Sequence, residues 1–189
     1  MRRRFTTVLL TAAFLLTAPA AVAAPSAPSA LHPLAELSGQ RVQIANKVAA
    51  AKFGTTQPID DPVREQQILD GVAAKAPGLG LDPAAAVEFF RDQIEANKVV
   101  QRGLYDYWTA NPEQAPTHRP DLPTEIRPVI DRINEGLLTE LAATSAVRAR
   151  PSCGVRLVLA IRAVDRELNF YELHRRALRR SLDSACEGH

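Results

Sequence analysis

The stretch VEFFRDQIEANKVVQRGLYDYW, residues 87–108, decides the fold. Val87, Phe90, Ile94, Asn97, Gln101, Leu104 and Trp108 recur at alternating intervals of three and four. That is the period of one inward face of an α-helix. Two amides stand in the middle of this otherwise apolar seam. Upstream, Asp82 followed by Pro83 is a helix start, with an N-cap carboxylate and a proline at the first helical position. The rest of the chain is dominated by Ala, Leu, Glu, Arg and Gln and shows no alternating, strand-like run. The expected fold is therefore all-α, a single-domain bundle of about six helices.

Working outward, a first helix is expected from about 33 to 53. Its apolar stripe is Leu34, Leu37, Ile44 and Val48, and the missing members of that stripe are Arg41 and Lys52. Eleven residues, about three turns, separate the two cations, so both project from nearly one face. A second helix opens at Asp61-Pro62 and ends near Ala76. Arg64, Ile68 and Val72 share one of its faces, and Glu65, Leu69 and Val72 an adjoining one. The proline-rich stretch NPEQAPTHRPDLP, residues 111–123, reads as an ordered loop. A fourth helix begins between Thr124 and Pro128 and carries Ile130, Ile133, Leu137 and Leu141.

The chain has 189 residues, 46% of them hydrophobic, enough for one core. Arg2, Arg3 and Arg4, an apolar run from Val8 to Leu16 and the small residues Ala21-Val22-Ala23 form a secretory signal pattern, residues 1–23, with cleavage near Ala23. Residues 24–32 read as a flexible lead-in and 33–189 as the helical domain. The expected location is secreted or periplasmic. Of 23 basic and 21 acidic residues the leader takes three arginines and no acid, leaving 20 against 21. A near-neutral mature chain favours neither nucleic acid nor, once the leader is gone, a membrane surface. In an exported protein Cys153 and Cys186 read as one disulfide. One straight helix between them would span about 50 Å, so the chain must double back into a hairpin of about 152–186. The break is expected at Leu168-Asn169, with Asn169 as an N-cap and Glu172 three residues on.

Each inward polar group has a plain structural explanation. Arg41 can snorkel, and Lys52 suits a helix C-terminus. Arg64 can pair with Asp60 or Asp61. Asn97 and Gln101 can satisfy each other or fix helix register. Together they ask for more, because two long helices each break an apolar stripe with hydrogen-bond donors. Buried cations without anions cost several kcal/mol each, of the order of the effective penalty for burying an ion. A bound anion removes that cost, which points to a pocket between helices with arginines clamping carboxylates. The scattered His32, His118, His174 and His189 show no metal-ligand spacing. No serine elbow is present, and Gly78-Leu79-Gly80 follows no strand. Arg175 to Arg180 reads as a solvated charge run. Tyr105, Tyr107 and Trp108 read as core.

These residues also carry a resemblance. Arg41, Lys52, Asp61, Arg64 and Glu65, followed by Asn97 and Gln101, sit at the spacings of the exported all-helical chorismate mutases, the AroQ class of the gamma subtype. The segments PIDDPVREQ, FFRDQIEANK and PDLPTEIRPVIDRIN, and the spacing of the cysteines, are similar as well. The resemblance implies an isomerase that rearranges chorismate to prephenate without cofactor, metal or covalent intermediate, as a homodimer. It implies that Arg41, Arg64 and Arg127 grip the two carboxylates of the substrate. Lys52 and Gln101 would approach the ether oxygen, and Glu65 would accept from the ring hydroxyl. Asn97 stands where relatives place a small hydroxyl residue, and Asp61 would orient Lys52 or the hydroxyl. Ile68 replaces a polar residue of some relatives and cannot hydrogen-bond. The residues alone also allow a non-catalytic exported receptor for a small dicarboxylate, or a bundle whose inward polar groups set register.

Overall fold

The computed structural model describes residues 29–186, and these form six α-helices and no strand. The leader, the first part of the lead-in and His189 lie outside the described residues. Helix α1 (His32–Lys52) runs through the middle of the bundle. It packs against α3 (Pro83–Ala110), α4 (Arg127–Arg148), α5 (Cys153–Leu168) and α6 (Glu172–Arg180), while α2 (Pro62–Lys75) lies on α3. Being covered on several sides, α1 buries Ala35, Val42, Ala45 and Ala49 as well as Leu34, Ile44 and Val48 of its expected stripe. Gly39 sets how closely α5 approaches. A Cβ there would stand 2.6 Å from Leu168 Cδ1 and 2.9 Å from Val164 Cγ1.

The starts of α2 and α3 follow their sequence signals. Asp61 accepts from the Arg64 backbone N–H at 3.1 Å, and Asp82 accepts from that of Ala85 at 2.8 Å. Glu65 returns the contact, accepting from the Asp61 backbone N–H at 3.1 Å, a reciprocal cap. Before α4 the chain makes a wide π-turn over Leu122–Ile126, capped by Asp121, and passes directly into the α-helix at Arg127. Arg127 takes ordinary α geometry, φ −57° and ψ −44°, although the following Pro128 disfavours it there.

The disulfide between Cys153 and Cys186 is formed, with Cα atoms 5.8 Å apart. The chain doubles back at 169–171 as expected, but the capping differs. Asn169 adopts the left-handed conformation, φ 49°, and closes the C-terminus of α5. Tyr171 is the N-cap of α6 and makes no side-chain cap bond. Asparagine tolerates left-handed geometry better than most residues, and ending α5 outweighs starting α6. At nine residues α6 is shorter than the sixteen-residue α5, and turns over 181–186 complete the return to Cys153. The basic run of α6 is exposed and paired rather than simply solvated: Arg175 meets Asp165, Arg179 meets Glu172 and Arg180 meets Asp92. Among the aromatics, Tyr105 and Trp108 pack edge-on against Phe53. Tyr107 is exposed, contrary to its expected place in the core.

Candidate active site

A cavity of about 240 Å³ opens between α1, α2, α3 and the start of α4. Its apolar wall rests on a small satellite core of Ile44, Val48 and Ile126, with Leu122 and Ile130 packed against it. The loop from Phe53 to Asp61 covers one side through Gln57, Pro58 and Ile59. Arg41, Lys52, Asp61, Arg64, Glu65, Asn97, Gln101 and Arg127 all line this one cavity, although they come from four helices.

The cations differ in depth. Arg41 is 3% exposed. Its Nε donates to Asn134 Oδ1 at 2.9 Å and its Nη1 to the Gln93 carbonyl at 2.9 Å, both neutral acceptors. Burial pushes its guanidinium down to about 10, with the nearby Asp131 opposing that fall. Lys52, at the end of α1, is half-buried and donates from Nζ to the Pro58 carbonyl at 2.8 Å. Desolvation lowers its ammonium below the ordinary lysine value, while Asp61, Glu65 and Asp60 act against the fall through space. Arg64 lies at the rim, with a loose contact to Asp131 at 3.5 Å and one to Gln67 at 3.4 Å. Arg127 is exposed at the opposite rim and makes no ion pair among the described residues. Inward-turned charge thus describes Arg41 fully, Lys52 in half, and the two rim arginines only at their tips.

Asn97 and Gln101 sit side by side on the α3 seam. Gln101 donates from Nε2 to Asn97 Oδ1 at 2.7 Å, and Asn97 donates weakly to the Arg41 carbonyl at 3.4 Å. The mutual satisfaction that sequence reasoning allowed is therefore present, but it is incomplete. Gln101 Oε1 is buried without a hydrogen-bond partner, and such an orphan costs about 1–3 kcal/mol. Each amide nitrogen carries two N–H groups, so Gln101 keeps a donor beyond the one given to Asn97.

Three residues bearing on the site were missed. Lys98 lines the cavity and is 7% exposed. Gln93 and Asn134 form the layer behind Arg41. Gln93 is itself fixed by donating to Ser38 Oγ at 3.0 Å and to the Ser181 carbonyl at 2.7 Å. Lys98 follows Asn97 by one residue and falls off the seam, onto a face that α2 covers. Counting it, the lining holds five cations, Arg41, Lys52, Arg64, Lys98 and Arg127, against two carboxylates, Asp61 and Glu65. No group of His, Cys, Asp or Glu among the described residues is arranged to hold a metal ion.

An all-helical bundle with a partly apolar, cation-rich cleft of this size defines a protein built to seat a small anionic molecule. The sequence of residues 33–102 matches the family of type II chorismate mutases. The chain is 37% identical over 158 residues to the secreted chorismate mutase of Mycolicibacterium smegmatis, covering 84% of this chain and 87% of that protein. Its fold superposes on the chorismate mutase of Burkholderia phymatum with a TM-score of 0.80 at 32% identity, over 85% of this chain and 98% of that one. For the Burkholderia thailandensis enzyme the TM-score is 0.79 at 36% identity, over 84% and 99%. The chain belongs to the chorismate mutase family.

Proposed function

We propose that the protein converts chorismate to prephenate in the cavity between α1, α2, α3 and α4. The observation that carries this reading is Arg41, a guanidinium buried against two neutral acceptors with no carboxylate in ion-pair contact among the described residues. A dicarboxylate supplies the missing charge. Arg41 from below and Arg64 and Arg127 from the two rims grip its carboxylates, in the geometry that suits a guanidinium. In the rearrangement the ether C–O bond breaks while a C–C bond forms within the same molecule, so no atom or proton leaves or enters. Catalysis then needs only two things: holding the reactive conformer and aiming donors at the oxygen that gains negative charge. Lys52 Nζ and the second amide N–H of Gln101 are those donors. Glu65 accepts from the ring hydroxyl, Asp61 holds the start of α2 on which Glu65 stands, and Asn97 steadies Gln101. Ile68 contributes apolar wall only.

Export is supported by the leader-like N-terminus and by the name of the Mycolicibacterium smegmatis relative, a secreted chorismate mutase. Assembly as a homodimer rests on the family resemblance, and light scattering on the mature chain tests it.

The deciding experiment follows loss of chorismate in the presence of the purified chain and of Lys52→Ala. The mutase reading expects turnover by the wild type and a fall in kcat of about 10²–10³-fold in the variant, the usual cost of one transition-state donor. A non-catalytic dicarboxylate receptor would instead bind chorismate, leave it intact, and lose only affinity on the same substitution.

A further inference from the structure

Lys98 is a cation in the lining that is not available to a guest. Three carboxylates lie within ion-pair distance of its ammonium: Glu95, which accepts a hydrogen bond from Nζ at 2.8 Å, Glu65 at 2.9 Å and Asp60 at 3.3 Å. The three come from different elements, and only Glu65 lines the cavity itself. Glu95 is on α3, Glu65 is on α2, and Asp60 is on the loop that covers the cavity. Asp60 is held a second time by Arg102 at 2.7 Å. Lys52, by contrast, makes no ion pair among the described residues, although Asp61, Glu65 and Asp60 all act on it through space. One buried lysine thus collects carboxylates that the neighbouring lysine would otherwise attract.

We infer that Lys98 is a positioning residue for the reaction proposed above: it ties Glu65 and Asp60 to α3, so that Lys52 stays free to face the substrate. The inference rests on the mutase reading. Burial makes the arrangement one-sided. An ammonium this deep is stable only with its carboxylates in place, and carboxylates deprived of it turn to the nearest remaining cation. For Glu65 that cation is Lys52, on which its charge already acts through space, whereas Asp60 keeps Arg102. A Lys52 paired with Glu65 would donate poorly to an ether oxygen, and Glu65 would no longer be placed for a ring hydroxyl. Lys98 therefore acts through Glu65 and touches no reacting atom.

The test is a double-mutant cycle on chorismate turnover by the full mature chain, using Lys98→Met, Glu65→Gln and the double variant, with melting temperatures in parallel. Lys98→Gln replaces methionine if that variant does not fold. The expected result is a fall in kcat/KM of at least about tenfold for Lys98→Met, carried mainly by kcat. In the Glu65→Gln background the same change should cost less than about threefold, because contacting residues that act as a unit are not additive. An equal loss in both backgrounds would assign Lys98 a general structural role and overturn the inference, as would unchanged kinetics in the single variant. A wild type that does not consume chorismate would overturn the mutase reading and this inference with it. Turnover by the wild type with a null cycle would overturn this inference alone.

Discussion

Arg41 Nε donates to Asn134 Oδ1 at 2.9 Å, across the gap between α1 and α4. With the Gln93 carbonyl on Nη1, this contact fixes the plane of the guanidinium while leaving its charge uncancelled. The geometry separates orientation from neutralisation, which is what a clamp for an anionic guest requires. Asn134→Ala should keep the charge and lose the aim. A hydrogen bond to a charged group contributes about 1.5–3 kcal/mol, so kcat/KM should fall about tenfold, chiefly through KM. Steady-state kinetics at fixed pH checks this, and an unchanged KM would count against Arg41 as a carboxylate clamp.

Removing the clamp itself has a larger effect. Arg41→Ala should lower kcat/KM by about 10²–10³-fold, the range for deleting one partner of a desolvated charge pair. The free variant should melt no lower than its lost packing dictates, since the wild type buries an uncompensated cation there. The thermal upshift that a transition-state analogue gives the wild type should vanish. A persisting upshift would place the guest elsewhere.

The acid–base behaviour follows from groups that lose protons only in alkali. Lys52 is lowered by burial, and Arg41 by burial to about 10. Only their charged forms suit an anionic guest, so turnover should be level through neutral pH and fall in alkali as Lys52 and Arg41 lose their protons. Gln101 carries no titrating proton. Replacing it by glutamate introduces one, with an ordinary value near 4.3, and a glutamate must be protonated to donate. Gln101→Glu should therefore lose activity from the acid side upward. A wild-type profile that declines steeply around neutral pH would remove Gln101 as the ether-oxygen donor.

The disulfide should matter to stability rather than to chemistry. Cys153 and Cys186 are 33 residues apart in sequence, and closing such a loop is worth about 3–4 kcal/mol on the chain-entropy model. Denaturant melts with and without reductant should differ by that amount. A difference under about 1 kcal/mol would mean that the α5–α6 hairpin holds its shape through packing alone.

Packing between α1 and α5 offers an independent check. Gly39→Ala sets a methyl group against Val164 and Leu168, both packed into the core. Overpacking of this kind costs about 1–3 kcal/mol. Thermal denaturation reads it directly.

Most of this architecture was legible in the chain because the signals were local. Asp61-Pro62 and Asp82-Pro83 start helices, and the seam from Val87 to Trp108 has a single period. The eight expected site residues interrupt stripes or flank caps, and the structure brings them to one cavity. What stayed hidden depends on which helix covers which face. Lys98 stands one residue after Asn97 and looks like a surface lysine until α2 is laid over it. Gln93 and Asn134 become partners of Arg41 only when α3 and α4 are both in place. Asn134 did leave a trace, as a polar residue four positions after Ile130 on an apolar stripe. The swap at Asn169 has a different origin. Asparagine serves as an N-cap and as a left-handed C-terminal stop, and sequence spacing does not rank the two.

The cavity's deepest donors also bear on the conditions under which it works. A guanidinium near 10 and an amide with nothing to ionise hold one electrical character over several decades of acidity. Cytoplasm is buffered for the molecules inside it, whereas fluid beyond the membrane takes the acidity of its surroundings. For the exported mutase proposed above, a cavity lined by such groups brings its own constancy to a place that supplies none.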